Sequence, residues 1–143
     1  MVWHEFERSV MLGSRDLGAA RAALFDWQVH LDAGLRVDAS SPVTLADHAR
    51  LGWHWVTAPV EIVAVSDNGF TYRALPGHPE QGEESFTLTQ SADGTVTFTI
   101  SARSRPATWW ARLGAPVTNL VQQHITDRYL AAARHLGQNS RYL

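Results

Sequence analysis

Apolar residues recur every three or four positions in an early segment of the chain. They are Leu17, Ala20, Leu24, Trp27 and Leu31. Positions with this spacing share one face of an α-helix, so the pattern predicts an amphipathic helix. Asp16 is the expected N-cap and Ser14 the alternative, since both side chains can accept a hydrogen bond from a free backbone N–H. We expect the helix to end at Gly34.

A second helical pattern covers residues 107–136. Gly114 and Pro116 interrupt it, which predicts a short helix followed by a longer one with Pro116 in its first turn. We expect the longer helix to stop at Gly137 and the polar residues 138–143 to form a frayed C-terminal tail.

Elsewhere, apolar and polar side chains alternate with a period of two, which is typical of β-strands. The alternation predicts a strand over residues 2–12 and starts again at Trp53, with a bend expected at Pro59. The later strands are expected at residues 60–66, 70–75, 84–90 and 96–103. Residues 35–50 give a weak signal, with a turn at 40–42.

Two connections between these strands have recognisable turn chemistry. Asp67-Asn68-Gly69 is a hairpin signal. Pro76-Gly77-His78-Pro79 must be a loop, because its two prolines lack the N–H that a ladder needs.

The last two strands can be aligned by counting, because residues directly opposite each other share a face. Pairing Leu88 with Phe98 closes the hairpin with Ala92-Asp93-Gly94, which puts a glycine where a left-handed conformation is needed. A two-residue loop would instead set Leu88 against Thr99 and divide the apolar face.

The same register makes two predictions about acidic residues. It places Glu83 opposite Arg103 on the outer face, where an ion pair would be screened by solvent. It places Glu84 opposite Ala102 on the core face.

The order of elements is strand, helix, a run of antiparallel strands, and a long C-terminal helix. A curved antiparallel sheet with one apolar face needs a cover, and the last helix is the only element long enough. We therefore predict an α+β fold of the helix-grip type, in which sheet and helix can enclose a cavity. A single domain is expected over residues 1–137.

Composition narrows the function classes. The chain has 143 residues, of which 45% are hydrophobic and 18% charged, as in soluble globular proteins. A net charge of −2 makes nucleic acid an unfavourable partner. All 12 basic residues are arginine and there is no cysteine, so lysine Schiff bases, thiolate nucleophiles and disulfides are excluded. No membrane span or signal peptide is evident, so we expect a cytoplasmic protein.

One set of motifs resembles a known family. The motifs are Leu75-Pro76-Gly77-His78-Pro79-Glu80, Gly82-Glu83-Glu84 with Phe86, and Ser104-Arg105-Pro106. Together they resemble uncharacterised protein family 0548, which occurs in bacteria and plants. Other positions that fit its pattern are Gly13, Trp27, His30, Gly34 and Tyr129. The likeness covers nearly the whole chain, but Arg73-Ala74 stands where family members usually carry Gly-Thr.

The resemblance implies a fold more than a function. The family is similar to the START and birch-pollen-allergen superfamily, which agrees with the helix-grip order. That superfamily includes lipid carriers, hormone receptors and polyketide cyclases, so the fold does not choose among them.

The candidate catalytic residues are His78 and Glu84. An imidazole that titrates near neutrality and a nearby carboxylate could shuttle protons. The alternative is that residues 76–82 form a rigid loop whose acids bond backbone donors or arginines. For an inward Glu84 the expected partners are His78, Arg105 or the loop backbone, and a His78 partner would have its pKa raised.

Aromatic side chains form the candidate ligand-binding set. They are Trp27, Trp53, Trp55, Tyr72, Phe86, Phe98 and Trp110. The alternative is that they simply fill the core. Arg105, with Arg73 and Arg103, could hold an anionic group because guanidinium binds carboxylate or phosphate in a fork. Pairing with acids on the outer face is the competing interpretation.

Three functions remain open. The leading one is binding of a small apolar or amphipathic molecule between the sheet and the C-terminal helix. The second is a cyclase- or isomerase-type enzyme that uses His78 and Glu84, and the third is a protein-interaction module. No metal or cofactor is predicted, because the histidines are scattered and nucleotide-binding motifs are missing. The sequence leaves the oligomeric state open.

Overall fold

The computed structural model describes residues 3–78, 80–106 and 115–138. Its strands are β1 (His4–Ser14), β2 (Arg36–Asp38), β3 (His48–Trp53), β4 (Val56–Ser66), β5 (Gly69–Ala74), β6 (Glu80–Gln90) and β7 (Thr95–Pro106). Its helices are α1 (Leu17–Phe25), α2 (Gln28–Asp32) and α3 (Ala115–Ala133).

The strands form one antiparallel sheet in the order β1-β7-β6-β5-β4-β3-β2. The register shifts by one residue in β1 and in β4, and such bulges bend a strand and increase its twist. The curved sheet wraps α3, which packs against α2, β1 and β7. This confirms the predicted α+β helix-grip fold.

The solid part of the core lies where α1 covers β5 and β6. Its central side chains are Phe86, Leu88, Val96, Phe98 and Ile100, each no more than 1% exposed. Leu24 and Ala20 of α1 are buried as well. Aromatic and branched residues alternate inward along the strands, so one face of the sheet is apolar and the other carries hydroxyl and charged groups.

The counted hairpin is confirmed. Leu88 lies opposite Phe98, and the backbone N–H of Ser91 bonds the carbonyl of Thr95 at 2.9 Å, which leaves residues 92–94 as the loop. Gly94 has a φ of +89°. The register therefore follows from turn chemistry and alternation alone.

The outer-face pairing is confirmed in register but not in the ion pair. Glu83 lies opposite Arg103, and Glu84 lies opposite Ala102. Arg103, however, pairs with Glu5 on β1 at 3.3 Å, since that strand flanks β7 on its other side.

The first predicted helix is two helices. Asp16 caps α1 as expected, accepting from the N–H of Ala19 at 3.0 Å. The helix then breaks at Trp27, which has a left-handed φ of +64°. The Trp27 indole N–H donates to the Ser40 carbonyl at 3.2 Å, so a tertiary contact holds the break. As a result α2 starts in a new direction and carries His30 inward.

The weakly patterned segment contains structure that the sequence did not predict. It supplies β2 and the first half of β3, and the β3–β4 hairpin turns at His54 and Trp55. The expected bend at Pro59 is wrong, because Pro59 lies within β4 opposite Arg50.

The predicted break at Gly114 and the short helix before it, together with Trp110, fall outside the described residues. So does most of the predicted tail, residues 139–143. The structure therefore leaves these predictions as they were.

Candidate functional site

Between the far end of the sheet and α3 lies a cavity of about 580 Å³. Its walls are largely apolar. The apolar side chains that line it include Leu35, Leu51, Trp53, Val60, Val121 and Ile125. Small inward residues, Ala58 and Ala102, leave the space that larger side chains fill in the solid core. The cavity follows from where the inward positions change from large to small residues.

Glu84 enters this cavity from β6. Alternation puts it on the same face as Phe86, and it lies directly opposite Tyr72 on β5. The Tyr72 hydroxyl donates a hydrogen bond to Glu84 Oε1 at 2.9 Å. The cross-strand register thus determines the partner of the buried carboxyl.

His30 continues the hydrogen-bonded chain behind Tyr72. Its Nε2 lies 3.0 Å from the Tyr72 hydroxyl oxygen, and its side chain is fully buried. The single Tyr72 proton is directed to Glu84, so we assign the proton of the His30 ring to Nε2, which donates to the tyrosine oxygen. Nδ1 is then a bare acceptor, and it is buried without a partner.

Burial determines which of these hydrogen-bonded side chains carry a proton. Desolvation lowers the pKa of His30 to about 3, so its ring is neutral near pH 7. Desolvation and the charge of Glu84 raise the pKa of Tyr72 well above its usual value, so the phenol keeps its proton. The chain therefore runs in one direction, from His30 through Tyr72 to Glu84.

Of the three hydrogen-bonded residues His30, Tyr72 and Glu84, only Glu84 titrates near neutrality. Burial raises its pKa to about 7, against the opposing effect of the Tyr72 hydrogen bond. Tyr129 of α3 lies on the same wall, with its ring 4.9 Å from that of His30. A carboxyl with such a pKa can accept or release a proton at physiological pH.

A second acidic group, Glu80, also lines the cavity. Burial raises its pKa to about 7, and its Oε1 is buried without a hydrogen-bond partner. The Glu80 backbone N–H donates to His78 Nδ1 at 2.9 Å. Because that nitrogen accepts, the neutral His78 ring carries its proton on Nε2.

The expected pairing of Glu84 with His78 is wrong. Glu84 is bonded by Tyr72, and burial lowers the pKa of His78 to about 4 instead of raising it. Arg105 is not a partner of Glu84 either, since its guanidinium donates to Gln81 at 2.7 Å and stacks on Trp3. The loop at residues 76–78 is ordered by a turn from the Leu75 carbonyl to the His78 N–H.

The structure brings five of the sequence-predicted site residues to the cavity. They are Trp53, Trp55, Tyr72, His78 and Glu84. Trp55 stands at the mouth and is 81% exposed. Trp27, Phe86 and Phe98 belong to the solid core instead, and Trp110 lies outside the described residues.

Arg105 does not line the cavity either. The proposed anion clamp is not formed, because each of its arginines is engaged elsewhere. Arg73 bonds Glu61 through two nitrogens, at 2.7 and 3.0 Å, and Arg103 pairs with Glu5. Pairing on the outer face, the competing interpretation, accounts for these two residues.

Four of the polar residues that sequence reasoning missed are central to the site or its support. They are His30, Glu80, Gln122 and Tyr129. Glu80 is four residues before Glu84 on the same strand, so alternation directs both to the same face. Tyr129 follows Val121 and Ile125 at intervals of four, so it lies on the same face of the helix. Periodicity could therefore have identified both residues. Gln122 donates to Ser104 at 3.0 Å, which ties α3 to β7 beside the cavity.

Comparison with known proteins places this chain in a family. The sequence profile of a family described as "Domain of unknown function (DUF1990)" matches residues 1–132. The chain belongs to this family. It is 38% identical over 61 residues to a UPF0548 protein of Deinococcus radiodurans and 31% identical over 80 residues to one of Arabidopsis thaliana. These segments are 43% and 49% of this chain but 31% and 39% of the two relatives, so the chain spans well under half the length of either.

Solved structures share the fold at low sequence identity. An aromatase/cyclase of Streptomyces superposes with a TM-score of 0.73 and 12% identity, over 93% of this chain and 92% of that one. Norcoclaurine synthase of Thalictrum flavum superposes with a TM-score of 0.60 and 8% identity, over 92% and 94%. The predicted resemblance to family 0548 and to the START-like fold is therefore confirmed.

The described residues contain neither a membrane-spanning helix nor a cluster of metal-ligating side chains. No helix there is long and apolar enough to span a membrane. No three His, Cys, Asp or Glu side chains in that part of the chain are grouped to hold a metal ion.

Proposed function

We propose that the protein binds a small apolar or amphipathic molecule in the cavity between the sheet and α3. The observation that carries this proposal is the cavity itself, which has the volume of a small-molecule site and apolar walls with a few polar groups at one side. Fold neighbours named as a cyclase and a synthase support it, because they are small-molecule enzymes on the same scaffold.

Nile red binding tests this proposal. The neutral dye should bind at micromolar concentrations with increased emission, because the cavity removes it from water. Ala102→Phe should lower its affinity at least tenfold by filling the cavity, whereas Ala64→Phe, on an exposed position of β4, should leave the affinity unchanged. Equal binding by both variants, or no binding by the native protein, would contradict the proposal.

A second candidate function is proton-transfer catalysis by Glu84. It is favoured by the pKa of about 7 on a carboxyl that faces an apolar space and is oriented by Tyr72. A base with this pKa is largely ionised at pH 8, yet it is less stabilised by water than an exposed carboxylate. His78 would then act as a neutral hydrogen-bond donor through Nε2, not as the base.

The base-catalysed ring opening of 5-nitrobenzisoxazole tests this candidate. Glu84 would take the proton on carbon as the N–O bond breaks, which gives a coloured phenolate. We expect at least a 100-fold acceleration over buffer, rising with pH through about 7, and its loss in Glu84→Gln. Glu7→Gln, at an exposed position of β1 that does not line the cavity, should retain the rate. A rate that survives in Glu84→Gln would assign it to another group.

A further inference from the structure

Two carboxyl groups of one strand line the cavity. Glu80 and Glu84 are four residues apart on β6, and alternating strand residues share a face. The residue between them on that face is Gly82, which has no side chain to fill the intervening space. The two carboxyl groups therefore border one continuous volume.

No cation from the described residues reaches this volume. The chain contains no lysine, and no arginine of the described ranges lines the cavity. Several arginines are held on the outside, in the pairs Arg8–Asp127, Arg73–Glu61, Arg103–Glu5 and Arg105–Gln81. Ionisation of the two carboxyl groups thus lacks a compensating charge from this part of the protein.

Four other titratable groups lie near the pair but do not supply that charge. Tyr72 of β5 and Tyr129 of α3 are neutral phenols, since burial raises the pKa of each. His78, in the loop before β6, and His30, behind Tyr72, are neutral near pH 7 because burial lowers their pKa values. His54 lines the site on the β3–β4 hairpin.

The carboxyl oxygens also have unused acceptor capacity. Glu80 Oε1 is buried without a donor, while Glu84 Oε1 receives the Tyr72 hydroxyl. A carboxylate can accept about four hydrogen bonds. The missing positive charge, and donors for the carboxyl oxygens that face the cavity, can come together from one group of a ligand.

We propose that the ligand is an amine with an apolar, aromatic-sized body, bound as its ammonium ion by Glu80 and Glu84. This inference rests on the proposed binding function and specifies its ligand class. The N–H groups would satisfy the carboxylate oxygens, and the Trp53 ring in the cavity wall favours a cation near it. A neutral alcohol would leave the charge uncompensated, and an anion would be repelled.

Three naphthyl probes of similar size test the proposal in the native protein at pH 8. They are 2-(1-naphthyl)ethylamine, 2-(1-naphthyl)ethanol and 1-naphthylacetate, with affinities measured by calorimetry. We expect the amine to bind at least tenfold more tightly than the alcohol, and the acetate most weakly. Between pH 8 and pH 6 the advantage of the amine should shrink, because both carboxyl groups, with pKa values of about 7, take up protons.

Substitutions test whether the carboxylates of Glu80 and Glu84 cause the preference for the amine. The double variant Glu80→Gln with Glu84→Gln should bind the amine no better than the alcohol, whereas Glu7→Gln, on an exposed position of β1, should keep the full preference. A preference that persists in the double variant would overturn the proposal, as would a native preference that does not change with pH. The pH series needs no substitution, so the proposal stays testable if the double variant does not fold.

The outcomes distinguish the inference that the ligand is an amine from the proposed function, which is binding of a small molecule in the cavity. If the alcohol binds as tightly as the amine, the amine inference fails and cavity binding stands. If Nile red binds but none of the naphthyl probes does, the amine inference again fails alone. If neither dye nor probes bind, the binding function fails and the inference fails with it.

Discussion

Gly82→Ala should lower the free energy of unfolding by roughly 2–4 kcal/mol, a large effect for one methyl group. Gly82 has a φ of +133°, and a Cβ there would lie 1.8 Å from the carbonyl oxygen of Arg103 on the paired strand. That oxygen belongs to the backbone, so no side-chain rotation relieves the overlap. Either β6 or β7 must move.

Gly94→Ala is the matched control for this effect. Gly94 also has a positive φ, +89°, but a Cβ there would have only Ser14 Oγ nearby, at 3.7 Å. It should therefore cost only the conformational penalty, about 1 kcal/mol. Chemical denaturation of both variants measures the difference. Equal losses would show that the close approach of β7 does not require glycine at residue 82.

The prediction also bears on the cavity, because Gly82 separates Glu80 from Glu84 along β6. Displacement of the strand would alter both carboxyl groups together. Loss of stability in Gly82→Ala should therefore be accompanied by weaker binding of the amine probe.

The sequence alone predicted those parts of the fold that depend on local signals. The β6–β7 hairpin could be counted because alternation fixes the faces and Gly94 fixes the turn. The same count correctly directed Glu84 inward. It could not identify Tyr72 as its partner, because the irregular loop between β5 and β6 prevents counting the register that pairs Tyr72 with Glu84.

The helix break at Trp27 could not be read from periodicity. Apolar spacing continues through it, from Leu24 to Leu31, and nothing in the local sequence requires a left-handed residue there. Such a conformation persists only when the surrounding structure holds it. Here the indole bonds Ser40 and packs against Phe70, with ring centroids 5.6 Å apart.

The bend predicted at Pro59 is absent for a geometric reason. The N–H and C=O of a residue in an antiparallel strand point to the same side. The Pro59 carbonyl accepts from the Leu75 N–H, so its nitrogen also points away from β3, toward the side where β5 has already ended at Ala74. Only one hydrogen bond is forgone, at the end of the β4–β5 ladder, and the pairing with β3 is intact, so proline is tolerated within β4.

Glu84→Gln should stabilise the protein at pH 8 while removing a group on which proton-transfer catalysis and the preference for an amine depend. In the unfolded chain this carboxyl titrates near 4.5, and in the folded protein burial raises its pKa to about 7. Between these values the folded state binds the proton more tightly, so the contribution of Glu84 to stability falls as pH rises from 4.5 through 7. A shift of this size corresponds to about 3 kcal/mol, and we expect a gain of about 1–3 kcal/mol.

The pH dependence distinguishes this effect from a change in packing. The difference between Glu84→Gln and the native protein should be constant below pH 4.5, grow between pH 4.5 and 7, and level off above. His30 and His78 titrate in both proteins, so their opposite effect, stability rising with pH as their lowered pKa values require, cancels in the comparison. Denaturant unfolding from pH 4 to pH 9 measures it, and the exposed Glu83→Gln should show no such trend. A variant that is less stable at pH 8 would mean that donors beyond Tyr72 hold the ionised carboxylate, and the uncompensated charge that favours an ammonium ligand would be absent.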